Sequence, residues 1–228
     1  MKNEHKDKHK ESTVIRELKK LHKKLKLKYG TFDDEFPEQV MAYMFIDPSD
    51  TVLEIGANIG RNTLIIAEIL NDDTDLVTLE SDPVIAQQLN ENKNINNMNF
   101  SIISKALSKN PLIQKGWECI PYMGDGIPDG YKLVDTIKLD EIKRISRKKF
   151  FTTLVLDCEG AFYYILRDFP EILDGVKTII MENDYKNFDH KVEINNKLLS
   201  KGFKPVYQKK GGWGPCEKFF FETWKKMN

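Results

Sequence analysis

Apolar positions along the chain fall into two rhythms. Short runs at 51–55 (TVLEI), 76–80 (LVTLE), 99–104 (NFSIIS), 152–157 (TTLVLD) and 176–182 (VKTIIME) have the length of buried strands. Between them apolar residues recur at helical spacing, which predicts helices over 60–70, 83–92, 139–145, 161–168 and 189–201. Strands joined by helices of this length require right-handed crossovers, so the five strands should lie parallel with helices on both faces. Two last strands, 203–208 (FKPVYQ) and 218–224 (KFFFETW), have only KKGGWGPCE between them and should add as an antiparallel pair at one edge. The expected fold class is therefore α/β: a seven-stranded, mostly parallel sheet with a reversed last strand and helices on both faces. Residues 108–133, rich in Gly and Pro, read as loop with short strands at most.

Ahead of the first strand, Val14, Leu18, Leu21 and Leu25 share one face of a helix, with Ser12 or Thr13 as its N-cap and Glu17 near its first turn. Two heptads are too few for a coiled coil, which leaves docking on the body or weak self-association. Tyr29-Gly30 ends this helix, and a shorter one over Pro37 to Phe45 uses Pro37 in its first turn. The chain divides accordingly into an N-terminal helical extension, 1–46, and a methyltransferase-like domain, 47–228.

Charge changes the picture of that extension. The formal net charge is zero, yet residues 1–28 hold eleven Lys/Arg against four Asp/Glu, leaving 24 against 31 in the remainder. Such a basic head either attracts nucleic acid, anionic lipid or an acidic partner, or is a solvated helix with a frayed start. A chain of 228 residues with 40% hydrophobic and 11% aromatic content supports one sizeable globular core. No run approaches eighteen apolar residues and MKNEHKDKHKEST has no apolar signal core, so a cytoplasmic location is expected. Cys119, Cys158 and Cys216 are odd in number and far apart, as reduced thiols are.

In open α/β sheets ligands sit at the carboxyl ends of the strands. Those ends carry Glu54 with the Gly56/Gly60 turn, Glu80, Ser104-Lys105-Ala106, Asp157-Cys158-Glu159-Gly160 and Glu182-Asn183-Asp184. Glu80, a little over twenty residues beyond Gly56, stands where a carboxylate accepts both hydroxyls of an adenosine ribose, unless it is simply a solvated strand end. The turn spells G-x-x-x-G and lacks both the dinucleotide and the P-loop patterns, which favours a nucleoside cofactor without phosphates. S-adenosylmethionine is such a cofactor. Glu54 is expected under the turn, holding backbone N–H groups or facing the amino group of the methionine moiety.

The blocks VLEIGANIGRNT, VTLESDPVIAQQLNENKNIN, SKALS, VDTIKLDEI, LVLDCEGAFYYIL and TIIMEND resemble, in order and spacing, the motif series of the FkbM family of S-adenosylmethionine-dependent methyltransferases. The resemblance covers about residues 50 to 184, and its I-G-A-N-x-G and D-x-E-G-A blocks together are fairly specific. It implies methyl transfer to oxygen, often on sugar or polyketide hydroxyls. It also implies that Glu54, Gly56, Ala57, Asn58 and Gly60 surround the methionine end, that Glu80 and Ser81 hold the ribose, and that Ala106 lies beside the adenine. One departure is visible: Phe162 stands where the D-x-E-G-A block usually continues with an acidic residue.

Methyl transfer from a sulfonium is an in-line displacement, served by positioning and by a base for the acceptor hydroxyl. Asp157 and Glu159, two residues apart at a strand end, are the expected catalytic pair, with Asp157 also touching the cofactor. His190 is the one histidine outside the basic head and is a further base candidate, or else a surface residue at a helix start. No metal set is assigned, although clustered carboxylates beside a hydroxyl acceptor can hold Mg²⁺. Trp213 in KKGGWGP is either an acceptor-side flap or part of a hairpin connection. The expected partner is a small-molecule or sugar hydroxyl. The alternatives are an RNA methyltransferase anchored through residues 1–28 and a catalytically silent binding module, and oligomeric state is left open.

Overall fold

The computed structural model describes residues 2–227, with side chains described from Glu11 onward. The side chains of residues 1–10, which include four lysines of the basic head, lie outside the described residues. Seven strands form the main sheet: β1 (Val52–Ile55), β2 (Leu76–Leu79), β3 (Ser101–Ile103), β4 (Thr153–Leu156), β5 (Thr178–Glu182), β6 (Phe203–Lys209) and β7 (Phe221–Lys226). Their order is β6-β7-β5-β4-β1-β2-β3. The first five run parallel, while β7 pairs antiparallel with both β5 and β6. Order reverses between β1 and β4, where Val52 to Ile55 register against Thr153 to Leu156.

Every residue of β1, β2 and β4 is buried, as strands covered on both faces must be. Alternate side chains feed two cores. Leu53, Ile55, Leu154, Leu156, Ile179 and Met181 pack under α5 (Leu139–Ser146), α6 (Phe162–Asp168) and α7 (Phe188–Ser200). Val52, Leu76, Val155 and Ile180 pack under α1 (Lys2–Lys24), α2 (Phe36–Phe45) and α3 (Arg61–Ile69), joined by Leu89 of α4 (Pro83–Ile95). At the amino end of the sheet Asp50 accepts the hydroxyls of Thr152 and Thr153, both at 2.8 Å, which fixes β4 against the start of β1.

α1 differs from the expectation at its start. Ser12 and Thr13 lie inside a helix that begins ten residues earlier, so neither is its N-cap. The preceding KNEHKDKHKE is rich in Lys and Glu, good helix formers that offer no reason to stop. The apolar stripe docks on the body: Leu18 is fully buried and Val14 and Leu25 nearly so. Lys24 pairs with Glu68 and Lys28 with Glu91, each at 2.5 Å, so part of the basic head is answered by carboxylates of α3 and α4.

Two further differences follow from turn chemistry. Lys218 to Phe220 do not open the last strand, because Gly214–Phe219 form a 3₁₀ turn with Pro215 in its first positions. Residues 108–133 are more ordered than their composition suggests. Leu112–Lys115 pairs antiparallel with Glu118–Pro121 and Lys132–Val134, and Ala106–Leu107 pairs with Thr136–Ile137. This small sheet stands beside the carboxyl ends of β2 and β4. Among the described residues no helix is long and apolar enough to cross a membrane.

Leu18→Ala should lower the unfolding free energy by about 2–5 kcal/mol, the cost of a buried leucine truncation. Urea denaturation followed by circular dichroism reads it, and a change within error of zero would show that α1 is not part of the folded core.

Candidate active site

The turn after β1 is forced through a narrow place. Gly56 has φ 91°, and a Cβ there would run into the carbonyl oxygen of Asp157 on the adjacent strand. Its N–H and that of Ala57 both donate to the Leu79 carbonyl, at 3.0 and 3.1 Å, so the turn is tied to β2. Gly60, at φ 94°, starts α3, and a Cβ there would meet Leu89 of α4. Asn58, at φ 50°, accepts the Ile59 N–H on Oδ1 and donates from Nδ2 to Glu35. Ala57 is buried, and it and Gly60 shape the turn without lining the cavity above it.

That cavity measures about 290 Å³ and opens at the carboxyl ends of β1, β2 and β4. Gly56, Asn58, Glu80, Ser81, Ala106, Asp157 and Glu159 all line it. Glu80 accepts the Asn58 N–H on one oxygen (2.9 Å) and the Asp82 N–H on the other (2.8 Å). Desolvation raises its pKa, and those backbone donors oppose the rise. Ser81 donates to Gln114 of the small sheet. The outer wall comes from that sheet, through Leu112, Trp117, Cys119 and Ile120, and from Tyr164 of α6.

Glu54 lies behind the turn, where with Gly56 it lines a narrow cleft on the α3 face of the sheet, and the expected bonds to the turn's backbone are not the ones it makes. It turns away from the backbone N–H groups of the turn and accepts the hydroxyls of Thr63 (2.7 Å) and Thr78 (2.8 Å) on one oxygen. The reason is strand alternation, which sends Glu54 to the α3 face with Val52. The task of tying the turn falls to Glu80 instead. Complete burial pushes the Glu54 pKa up to about 7, against the lowering effect of the two threonine hydroxyls.

His190 lines neither this cavity nor the cleft behind the turn. Its ring stacks on Tyr163 at 3.8 Å between centroids, a surface packing contact that gives the expected base no access to the cavity. Trp213 also lies outside both linings. Phe162 is buried in the core and lines neither, so its departure from the FkbM pattern falls on packing.

Sequence reasoning missed a second feature, on the α3 side of the turn. Glu38 of α2, Asp157 and Glu182 at the end of β5 bring carboxylate oxygens within 4.8 Å of one another. Burial, then contact with Glu38 and the Asp157 charge, push the Glu182 pKa up to about 12, and burial raises Asp157 well above the usual carboxylate range. Glu182 was visible as a strand-end carboxylate. Glu38 gave no signal, because only the docking of α2 against the sheet brings it there. Two residues beyond Glu182, Asp184 accepts the Gly160 N–H at 2.7 Å, and burial pushes its pKa up to about 7.

Solved structures show the same architecture. The chain is similar to ribosomal protein L11 methylase from Lactobacillus delbrueckii subsp. bulgaricus, with TM-score 0.51 and 10% identity over 88% of this chain and 82% of that one. It is also similar to a protein of the NADB-Rossmann superfamily from Streptococcus agalactiae, with TM-score 0.52 and 12% identity over 84% and 69% of the two chains. A third is a candidate tRNA (m1A22) methyltransferase of Streptococcus pneumoniae solved with S-adenosyl-L-methionine, with TM-score 0.52 and 12% identity over 85% and 74%. No family model matches the chain, and no curated protein matches it. At these identities the likeness establishes a Rossmann-like methyltransferase fold.

The Glu54 carboxyl carries a pH dependence. Its folded pKa, about 7, lies above the 4.5 of a free glutamate side chain, so between those limits the folded state holds more protons and stability falls as pH rises. Wild type should lose on the order of 3 kcal/mol relative to Glu54→Gln between pH 4.5 and pH 7.5. Parallel stability profiles for the two proteins across that range would contradict the assignment.

Proposed function

We propose that the chain is an S-adenosylmethionine-dependent methyltransferase that methylates a hydroxyl of a sugar or other small metabolite. The observation that carries the reading is the shared cavity. The glycine turn, the Glu80 carboxylate and the Asp157/Glu159 pair, far apart in sequence, line one space at the point where strand order reverses. The fold agrees with it, and so do similar structures named for methylation, one of them solved with S-adenosyl-L-methionine. The FkbM-like blocks supply the oxygen-directed part of the proposal.

In this reading Glu80 takes the ribose hydroxyls with the lone pairs left after holding Asn58 and Asp82. Ala106 and the apolar wall of the small sheet flank the adenine, and Asn58 with Gly56 lies under the methionine end. A cofactor bearing a sulfonium and an ammonium suits a cavity whose floor is crowded with carboxylates, since its positive charge offsets theirs. Asp157 faces the donor end. Glu159, held at φ 53° with an exposed side chain, faces the entrance and takes the hydroxyl proton as the oxygen–carbon bond forms and the carbon–sulfur bond breaks. Half-exposed Tyr164 and Trp117 both line the cavity's outer wall and suit the flat face of a ring-bearing acceptor.

Calorimetry should register one S-adenosylmethionine per chain, and Glu80→Ala should weaken it about 10- to 100-fold, as loss of charge-assisted hydrogen bonds does. Absence of uptake by the wild-type chain would sink the reading. Glu159→Gln should keep cofactor affinity while lowering turnover about 10²- to 10⁴-fold, followed as S-adenosylhomocysteine formed across a panel of hydroxylated metabolites. Turnover equal to wild type would remove Glu159 from the reaction.

A further inference from the structure

Behind the glycine turn, on the face opposite the large cavity, lies a cleft of about 10 Å³ lined by Glu38, Glu54, Asn62, Asp157 and Glu182 among others. Its volume admits one water-sized body. Three of its carboxylates converge within 4.8 Å, as described above. A separate observation concerns acceptors without donors. Glu38 Oε2 and Asn62 Oδ1 are buried with no hydrogen-bond partner, in side chains only 7% and 6% exposed. Buried acceptors left in that state cost free energy, and native structures rarely keep them without a ligand, ion or water.

The nearest arginine does not answer them. Arg61 is held at the edge of the cleft by Glu35, itself a lining residue, at 2.7 Å and by Asp34 at 3.3 Å, and neither Glu38 Oε2 nor Asn62 Oδ1 is among its partners. Burial favours protons on Asp157 and Glu182, and protons there ease the crowding of the carboxylates. They leave Asn62 Oδ1 and Glu38 Oε2 unanswered. A body of positive charge that accepts lone pairs from carboxylate and amide oxygens meets both requirements together. Oxygen-only donors select the hard divalent cations Mg²⁺, Ca²⁺ and Mn²⁺ over the softer transition metals. Opposite ligands of Ca²⁺ stand about 4.6–5.2 Å apart, so oxygens that all lie within 4.8 Å of one another are within reach of a single ion.

We propose that this cleft is a divalent-cation site in which Glu38, Asp157 and Glu182 are the carboxylate ligands and the Asn62 amide oxygen is a fourth. The site goes beyond the proposed reaction and does not depend on it. Asp157 belongs to both spaces, so a cation in the cleft keeps that carboxylate ionised and fixed at the floor of the large cavity. α2, the element ahead of the glycine turn, is thereby joined to β4 and β5 through the ion.

The test uses the full chain, freed of metal by chelation, at pH 7.5 and without cofactor. Titration with Mn²⁺ followed by electron paramagnetic resonance should show one bound ion, displaced by Mg²⁺ or Ca²⁺. Calorimetry in buffers of different ionisation enthalpy should show proton release, because the ion replaces protons on the cluster. Glu38→Gln should weaken Mn²⁺ by about tenfold or more, through the loss of a charged ligand. The same variant should be no less stable than wild type without metal, since it relieves like-charge crowding, and Glu182→Gln is the replacement should it fail to fold. No Mn²⁺ uptake up to millimolar concentration, or uptake undiminished in the folded variant, overturns the proposal. Displacement of Mn²⁺ by S-adenosylhomocysteine overturns it as well, assigning the cleft to the ammonium of a cofactor. Uptake of S-adenosylmethionine in the presence of EDTA is scored separately, so loss of the metal site and loss of the methyltransferase reading give different results.

Discussion

The carboxyl edge of the sheet depends on one backbone passage. Between β1 and α3 the chain must cross directly over the Asp157 carbonyl, and only a residue without a side chain fits there at positive φ. Because Gly56 and Ala57 then donate to Leu79 and Asn58 donates to Glu80, the turn is anchored to β2 on one side while it touches β4 on the other. The three central strands are held together at the point where their order reverses. A cavity results that is lined by the backbone of this turn together with the carboxylates of Glu80, Asp157 and Glu159. Side chains reach it from β2, β4 and α6 without having to be neighbours in sequence.

That geometry has an electrostatic cost, and much of the surrounding structure can be understood as a response to it. Glu54, Glu80, Asp157, Glu182 and Asp184 end strands that run the same way, so their charges converge, and Glu38 adds another from α2. The protein answers each differently. Glu80 is held by two backbone N–H groups, Glu54 by two threonine hydroxyls and Asp184 by Gly160. Asp157 and Glu182 have no comparable set of donors, and burial drives both toward the protonated form. A contrasting solution sits at the far side of the sheet. There fully buried Lys191 pairs with Glu222, whose oxygens also accept from Trp224 and Gln208, so that a charged residue in the core is completely partnered. Asp157 and Glu182 contrast with that pair, since no cation of the chain is partnered with either among the described residues.

The sequence made the strands and the glycine turn visible for a local reason: runs such as TLVL and VLEI are buried at every position, so composition alone marks them. It also placed Glu80, Asp157 and Glu159, because the ends of such strands can be counted. What it did not reveal depends on distant partners or on competing local signals. Ser12 and Thr13 are good caps, but a Lys/Glu-rich segment ahead of them keeps the helix going. Gly and Pro in 108–133 obscured short strands that acquire their order by pairing with one another beside the cavity. Lys191 looks like a surface residue until Glu222 arrives from the reversed strand. Glu38 and Asn62 sit on helices that approach the sheet from the same face, and nothing in their own neighbourhoods marks them as facing Asp157.

The charge division along the chain follows from the same constraint. A body that concentrates carboxylates at one sheet edge is left acidic, and the excess of lysine in the first 28 residues balances it. Part of that balance is made through contact: Lys24 reaches Glu68, Lys28 reaches Glu91, and in the opposite sense Lys209 reaches Glu11. Exposed pairs of this kind contribute little energy individually. They do bias the orientation in which the apolar stripe of α1 docks, because a reversed helix would set its lysines against Lys209 and leave Glu68 and Glu91 unanswered. Docking of α1 also bears on the acidic cleft, since α1 packs on α2, and α2 holds Glu38 above Asp157 and Glu182. A segment that reads in isolation as a basic tail is in this way part of the support for the most crowded carboxylates in the molecule.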